Sequence, residues 1–218
     1  MTASASGVLI DPCRTGCMTE PSAWVRMTEE DPEHSHAYVQ RFRSLAEQGM
    51  DLVGEARLVD AMLARGSRVL DAGCGTGRVG AFLHEVGHGI VGVDVDPVLV
   101  AAAEEDHPGP RWLVGDLAEL DLPARGIPEP FDAIVSAGNV MAFLAASTRR
   151  AVLSRLRAHV APDGRAAIGF GAGRGYDFGQ FLADAADAGW APDLLLSTWD
   201  LRPFTPDAEF LVAVLRPA

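Results

Sequence analysis

The chain has 218 residues, 48% of them apolar, and its 18 basic against 30 acidic residues leave a net charge of −12; at ~100–200 residues per domain this is one compact domain. Every basic side chain is arginine, so the lysine of Schiff-base and P-loop chemistry is missing, and an acidic surface without a basic patch argues against nucleic acid or membrane as partner. The longest uncharged stretch, Ala133 to Thr148, is too short and polar to span a bilayer, no basic start precedes an apolar run, and Cys13, Cys17 and Cys74 suit a reducing cytoplasm better than a disulfide framework.

Residues 1–32 mix Ser, Thr, Pro, Gly and acids without sustained periodicity and are expected as a disordered extension, with Met1, Met18 and Met27 as alternative starts. Residues 33–218 are expected to form a single domain. From Ser35, Tyr38, Phe42 and Leu45 share one helical face, and after Gly49 a second amphipathic run aligns Leu52, Ala56, Val59 and Leu63. These two N-terminal helices, within 33–65, are expected to act as a lid, because their apolar faces must be buried somewhere.

Short β-branched runs then alternate with helical periods. Strands are expected at Arg68–Leu70, Gly89–Val93, Arg111–Val114, Phe131–Val135 and Arg165–Phe170. Among the helices between and after them, Asp96 is the N-cap and Pro97 the first turn of one, and two others fall near Thr148–His159 and Asp177–Ala188. This is a Rossmann-like, doubly wound α/β pattern with a mostly parallel sheet. The end departs from it: Leu194–Trp199 and Glu209–Leu215 are joined by too few residues for a helical crossover and are expected as an antiparallel C-terminal hairpin.

The first strand runs into Val-Leu-Asp-Ala-Gly-Cys-Gly-Thr-Gly-Arg, at the strand ends where such folds bind ligands. Gly75, Gly77 and Gly80 satisfy G-x-G-x-x-G, and Asp94 stands where a ribose-binding acid belongs, which would suit an NAD(P)-dependent oxidoreductase. Counted from Gly73, the fingerprint fails at Arg78. Charge weighs more than spacing: Asp71, Asp94 and Asp116 end or follow the first three strands, so three carboxylates gather at one rim and repel a pyrophosphate. S-adenosylmethionine, a net cation without phosphate, complements that rim. Asp94 offers a bidentate acceptor to the ribose diol and Asp116 an acceptor to the adenine amine.

From about Gly66 to Phe170 the chain resembles the class I S-adenosylmethionine-dependent methyltransferases: VLDAGCGTG is similar to their first motif, GVDVDP to their second-strand acid and VGDL to their adenine-side acid. FDAIVSAG resembles their fourth strand, and LRAHVAPDGRAAIGF their following helix and fifth strand. The resemblance implies a seven-stranded sheet of order 3-2-1-4-5-7-6. It also implies that Asp71, Gly73 and Gly75 face the methionine part, Asp94 and Val95 the ribose, Asp116 and Leu117 the adenine, and Ser136, through its backbone, the sulfonium.

No general base and no metal site stand out. Ala137-Gly138-Asn139-Val140 departs from the family's Asn/Asp-Pro-Pro-Tyr/Phe, which puts nucleic-acid and protein amine acceptors in doubt. Asn139 is expected to cap a short helix, His84 and His88 to form a solvated pair, and His159 to be an ordinary surface residue. His34 and His36 are weak candidates for a base. Arg41 shares the apolar face of its helix whereas Arg43 points away, so Arg41 is expected to be the partly buried guanidinium, held by the cofactor carboxylate or by an internal acid such as Glu55. Phe143, Tyr176 and Phe204 could wall an acceptor pocket. The leading reading is a cytoplasmic methyltransferase acting on a small-molecule acceptor; the oxidoreductase and a catalytically silent cofactor-binding subunit are the alternatives.

Overall fold

The computed structural model describes residues 19–218. Cys13, Cys17 and the greater part of the expected N-terminal extension lie outside the described residues. Three helices precede the first strand: α1 (Ala23–Glu30), α2 (His34–Glu47) and α3 (Gly54–Ala61). Then come β1 (Arg68–Ala72), α4 (Arg78–Glu85), β2 (Gly89–Asp94), α5 (Pro97–Asp106), β3 (Arg111–Val114), β4 (Phe131–Ser136) and α6 (Val140–Phe143). The chain closes with α7 (Arg149–His159), β5 (Val160–Gly171), α8 (Phe178–Asp187), β6 (Trp190–Leu196) and β7 (Phe210–Pro217).

The seven strands form one sheet in the order β3-β2-β1-β4-β5-β7-β6. β1 to β5 are parallel, and β7 lies antiparallel between β5 and β6, so the terminal hairpin and the strand order agree with expectation. Helices cover both faces, which is why the central strands are near-continuous apolar runs rather than alternating ones. On one face Val69, Val135 and Ala167 pack with Val59 of α3 and with Val79 and Leu83 of α4. On the other, Leu70, Ile134 and Ile168 meet Leu153 and Leu156 of α7 and Phe181 of α8. Among the described residues no helix is long and apolar enough to cross a membrane.

Several local expectations are corrected. Residues 23–30 are helical, not an unstructured extension: the Ser22 hydroxyl accepts the Val25 N–H at 3.2 Å as an N-cap, and the Trp24 indole N–H reaches Asp96 at 2.8 Å. That long-range partner, invisible in local periodicity, holds the helix down. β6 begins at Trp190, four residues before the expected start, because the buried indole donates to the Leu153 carbonyl at 3.0 Å. A register shift beside Pro192 accommodates that residue on the edge strand. His159 is buried rather than a surface residue; Nδ1 pairs with the Arg155 carbonyl at 2.7 Å and Nε2 accepts the Leu122 N–H at 3.1 Å. His88 is buried too, paired through Nε2 with Asp60 at 2.9 Å, and only His84 is exposed. Among the described residues no cluster of three His, Cys, Asp or Glu could hold a metal.

Trp112 of β3 fixes the packing beside the glycine loop. Its indole N–H donates to the His107 carbonyl at 3.0 Å, and its ring lies over Gly92 so closely that an added Cβ would fall 2.2 Å from Cε3. Cβ atoms at Gly77 and Gly80 would also meet this ring, at 3.0 and 2.8 Å. We expect Gly92→Ala to destabilise the protein by about 1–3 kcal/mol, the usual cost of overpacking a filled core; urea denaturation followed by circular dichroism reads this directly.

Candidate active site at the carboxyl ends of the strands

The loop from β1 to α4 turns on Gly73, Gly75 and Gly77, whose φ values of +81°, +53° and +81° lie where other residues are strained. Gly73 also admits Val140 of α6, since a Cβ there would sit 2.3 Å from Cγ2. The loop folds onto the end of β2: Gly73 and Cys74 donate their N–H groups to the Val93 carbonyl at 2.8 and 3.1 Å. Gly75 donates its own to Asp94 Oδ2 at 2.8 Å, and Asp94 Oδ1 accepts from Asp96 N–H at 3.0 Å.

Asp96 continues this chain of bonds. Oδ1 caps α5 through the N–H groups of Val98 and Leu99, and Oδ2 accepts from the Trp24 indole and, at 2.5 Å, from the Ser35 hydroxyl. The first two helices are thereby anchored over the strand ends. Trp24 packs edge-on against Tyr38 and Phe143, with ring centroids 5.2 and 5.7 Å apart.

Beneath these helices lies a cavity of about 410 Å3. Of the residues singled out in the sequence, Arg41, Asp71, Gly73, Gly75, Asp94, Val95, Asp116 and Leu117 all border it. Ser136 does not: it is buried at the end of β4, its hydroxyl has no partner among the described residues, and Ala137 and Gly138 line the wall instead. Phe143 borders the cavity, whereas Tyr176 is buried with its hydroxyl on Asp184 at 2.7 Å, and Phe204 packs on Phe178. His34 stacks edge-on against Trp24, and neither it nor His36 reaches the cavity. Ser22, Trp24, Arg78 and Arg174 border it without having been expected there.

The arginine expectation is also corrected. Arg41 is exposed at the cavity wall, and the partly buried guanidinium is Arg78, bidentate to Glu55 at 2.8 and 2.5 Å and bonded to the Leu52 carbonyl. Burial alone would raise the Glu55 carboxyl, but Arg78 outweighs it and holds it below the usual range. Arg43 does point away from the apolar face, and pairs at the surface with Asp106 and Glu105 of α5. Asn139 occupies the N-cap position of α6 at φ +67° but does not cap it: its Oδ1 accepts the Gly171 N–H at 2.8 Å, joining the ends of β4 and β5.

Electrostatically the floor is acidic and strained. Among the described residues Asp71 accepts a single N–H, that of Gly80 at 2.9 Å, and burial pushes its carboxyl up to about 7. Burial also raises Asp94, in spite of its two backbone donors, and raises the Cys74 thiol, which lies between these acids. Asp116 accepts the Ala118 N–H at 2.8 Å as the cap of a single helical turn. The fingerprint glycines Gly77 and Gly80 accommodate Trp112, so they do not open a cradle for a pyrophosphate.

The known proteins that this chain is similar to agree with that chemistry. The family "Methyltransferase domain" matches residues 69–164. A TehB-like SAM-dependent methyltransferase from Corynebacterium glutamicum is 49% identical, with a TM-score of 0.81 over 86% of this chain and 100% of that one. The magnesium-protoporphyrin O-methyltransferase of Rhodobacter capsulatus is 33% identical over 63% of this chain and 59% of its own. The 18S rRNA (guanine-N(7))-methyltransferase of Mus musculus is 30% identical over 49% of this chain and 37% of its own. The chain spans between 23% and 59% of the length of the curated relatives it matches. It belongs to the class I S-adenosylmethionine-dependent methyltransferases, and S-adenosylmethionine is accordingly its cofactor.

The raised Asp71 carboxyl has a consequence for stability. With a folded value of about 7 against 3.8 for the free group, the folded chain keeps a proton that the unfolded chain releases between those two values. Stability therefore falls as pH rises through that window and levels off above it. Asp71→Asn, which stays neutral, should remove a decline on the order of 2–4 kcal/mol. Urea midpoints for both proteins without cofactor at pH 5 and 8 check this.

Proposed function

We propose that the chain transfers the methyl group of S-adenosylmethionine to a small-molecule acceptor, with the cofactor lying across the ends of β3, β2 and β1. The observation that carries this reading is the set of charges around one cavity: Asp116, Asp94 and Asp71, at the ends of β3, β2 and β1, and Arg41 of α2 all border it. In this arrangement Asp116 and Leu117 receive the adenine, and Asp94 and Val95 the ribose. Asp71, Gly73 and Gly75 face the methionine ammonium, and Arg41 takes the carboxylate. The cofactor brings an activated methyl on a sulfonium, so the residues have only to align it with the acceptor and exclude water. Trp24 and Tyr38, on the two helices anchored by Asp96, form the cover that does so.

A small acceptor is supported by a cavity of about 410 Å3 under two helices and by a net charge of −12, which repels a phosphate backbone. The mouse relative named for 18S rRNA shares only 37% of its length with this chain. The single buried, free Cys74 among the described residues supports a reducing compartment such as the cytoplasm. Family membership and the glycine packing against Trp112 both speak against the oxidoreductase alternative.

S-adenosylhomocysteine should raise the melting temperature, by the equivalent of ~2.7 kcal/mol at 100 times its dissociation constant, and NADH should not. A shift with NADH alone would sink the proposal.

The anchoring of α1 reverses what its sequence suggests about dispensability. Removing residues 2–26, so that the chain restarts at Met27, deletes Trp24 and its bond to Asp96. It should weaken S-adenosylhomocysteine binding at least ~tenfold, about 1.4 kcal/mol, whereas a dispensable extension would leave the calorimetric affinity unchanged.

A further inference from the structure

We propose that the acceptor end of the cavity is a carboxylate-binding subsite formed by Arg174 and Asn139, which makes the acceptor a small carboxylic acid. The inference rests on the cofactor placement given above. With the cofactor across β3, β2 and β1, the part of the cavity left for the acceptor lies past β1, at the ends of β4 and β5. Asn139 follows β4, Arg174 follows β5, and both border the cavity.

Both present hydrogen-bond donors. The carboxamide orientation of Asn139 is fixed by the 2.8 Å bond from Gly171 N–H to Oδ1, which leaves the Nδ2 amino group free to donate. Arg174 stands beside the same glycine, its Nε 3.3 Å from where a Gly171 Cβ would be. Among the described residues its guanidinium has no carboxylate within ion-pair distance. The other two cavity arginines are accounted for. Arg78 is committed to Glu55, and Arg41 is given to the cofactor carboxylate in the arrangement above.

Arg174 is exposed at the rim of the cavity, where a bound anion would replace the water around its guanidinium, and in the arrangement proposed above the one carboxylate of the cofactor is already given to Arg41. In a chain of net charge −12, carboxylate capture needs such a local cation, and a guanidinium fork with an adjacent amide donor matches two carboxylate oxygens. A left-handed asparagine at the same place, φ +67°, is the kind of backbone strain that gathers at ligand sites.

The test uses acetate, benzoate and 3-phenylpropionate with their neutral amides as probes, measured by ligand-observed NMR on the full chain saturated with S-adenosylhomocysteine. At least one carboxylate should bind about tenfold tighter than its amide. Arg174→Gln should abolish that preference, Arg174→Lys should restore part of it, and the affinity for S-adenosylhomocysteine should stay the same in both. Equal binding of acids and amides, no binding by any probe, or a preference that survives Arg174→Gln overturns the subsite. A loss of S-adenosylhomocysteine affinity in Arg174→Gln would give Arg174 to the cofactor instead. Failure of the unaltered chain to bind S-adenosylhomocysteine, read separately by calorimetry, would overturn the cofactor placement and the subsite with it.

Discussion

Two carboxylates at the end of β2 hold the site together. Asp94 receives the N–H groups of Gly75 and Asp96, and Asp96 receives Trp24, Ser35 and the first turn of α5. A glycine loop, a strand end, a helix start and two covering helices thus meet on four carboxylate oxygens. Buried acceptors are costly when unpaired, so each of these elements is constrained to the position that satisfies them. The arrangement also explains how an N-terminal segment with few apolar residues of its own is kept in place: it supplies donors that the floor lacks.

A second constraint works through shape. Trp112 fills a slot left by Gly77, Gly80 and Gly92, which brings β3 and α4 close to β2 and sets the direction in which the glycine loop leaves β1. Two of the three glycines that match a dinucleotide fingerprint, Gly77 and Gly80, are thereby occupied by an indole of the chain itself. Spacing alone could not distinguish an opening for a ligand from room for a side chain, whereas the charges around it could.

The strands were legible because both sheet faces are buried, which leaves apolar runs, and because Asp96-Pro97 marks a helix start; their order came from the family resemblance. The rim acids were legible because they end or follow three successive strands, although Asp94 and Asp116 also tie and cap the local backbone. What escaped were relations between distant residues. Helical periodicity put Arg41 on the inner face of α2 but could not show that Glu55 and Leu52 would engage Arg78 across the loop. Trp24 could not be recognised as an anchor without Asp96, nor Asn139 as a tie to β5 without Gly171. His88 and His159 looked like surface residues because Asp60 and the Leu122 N–H, with which their Nε2 atoms pair, come from distant parts of the chain.

The Cys74 thiol, lying between Asp71 and Asp94 at the cavity wall, bears on the chemical durability of the protein. A site built around an electrophilic methyl group threatens its own nucleophiles, and a thiolate would be the most vulnerable of these. Burial and the two neighbouring acids keep the sulfur protonated, and a thiol is a far weaker nucleophile than its anion. The cationic side chains follow the same pattern: arginine stays protonated where a lysine could expose a free amine, and the chain contains no lysine. The acids at the strand ends thus also help protect the sulfur beside them from alkylation.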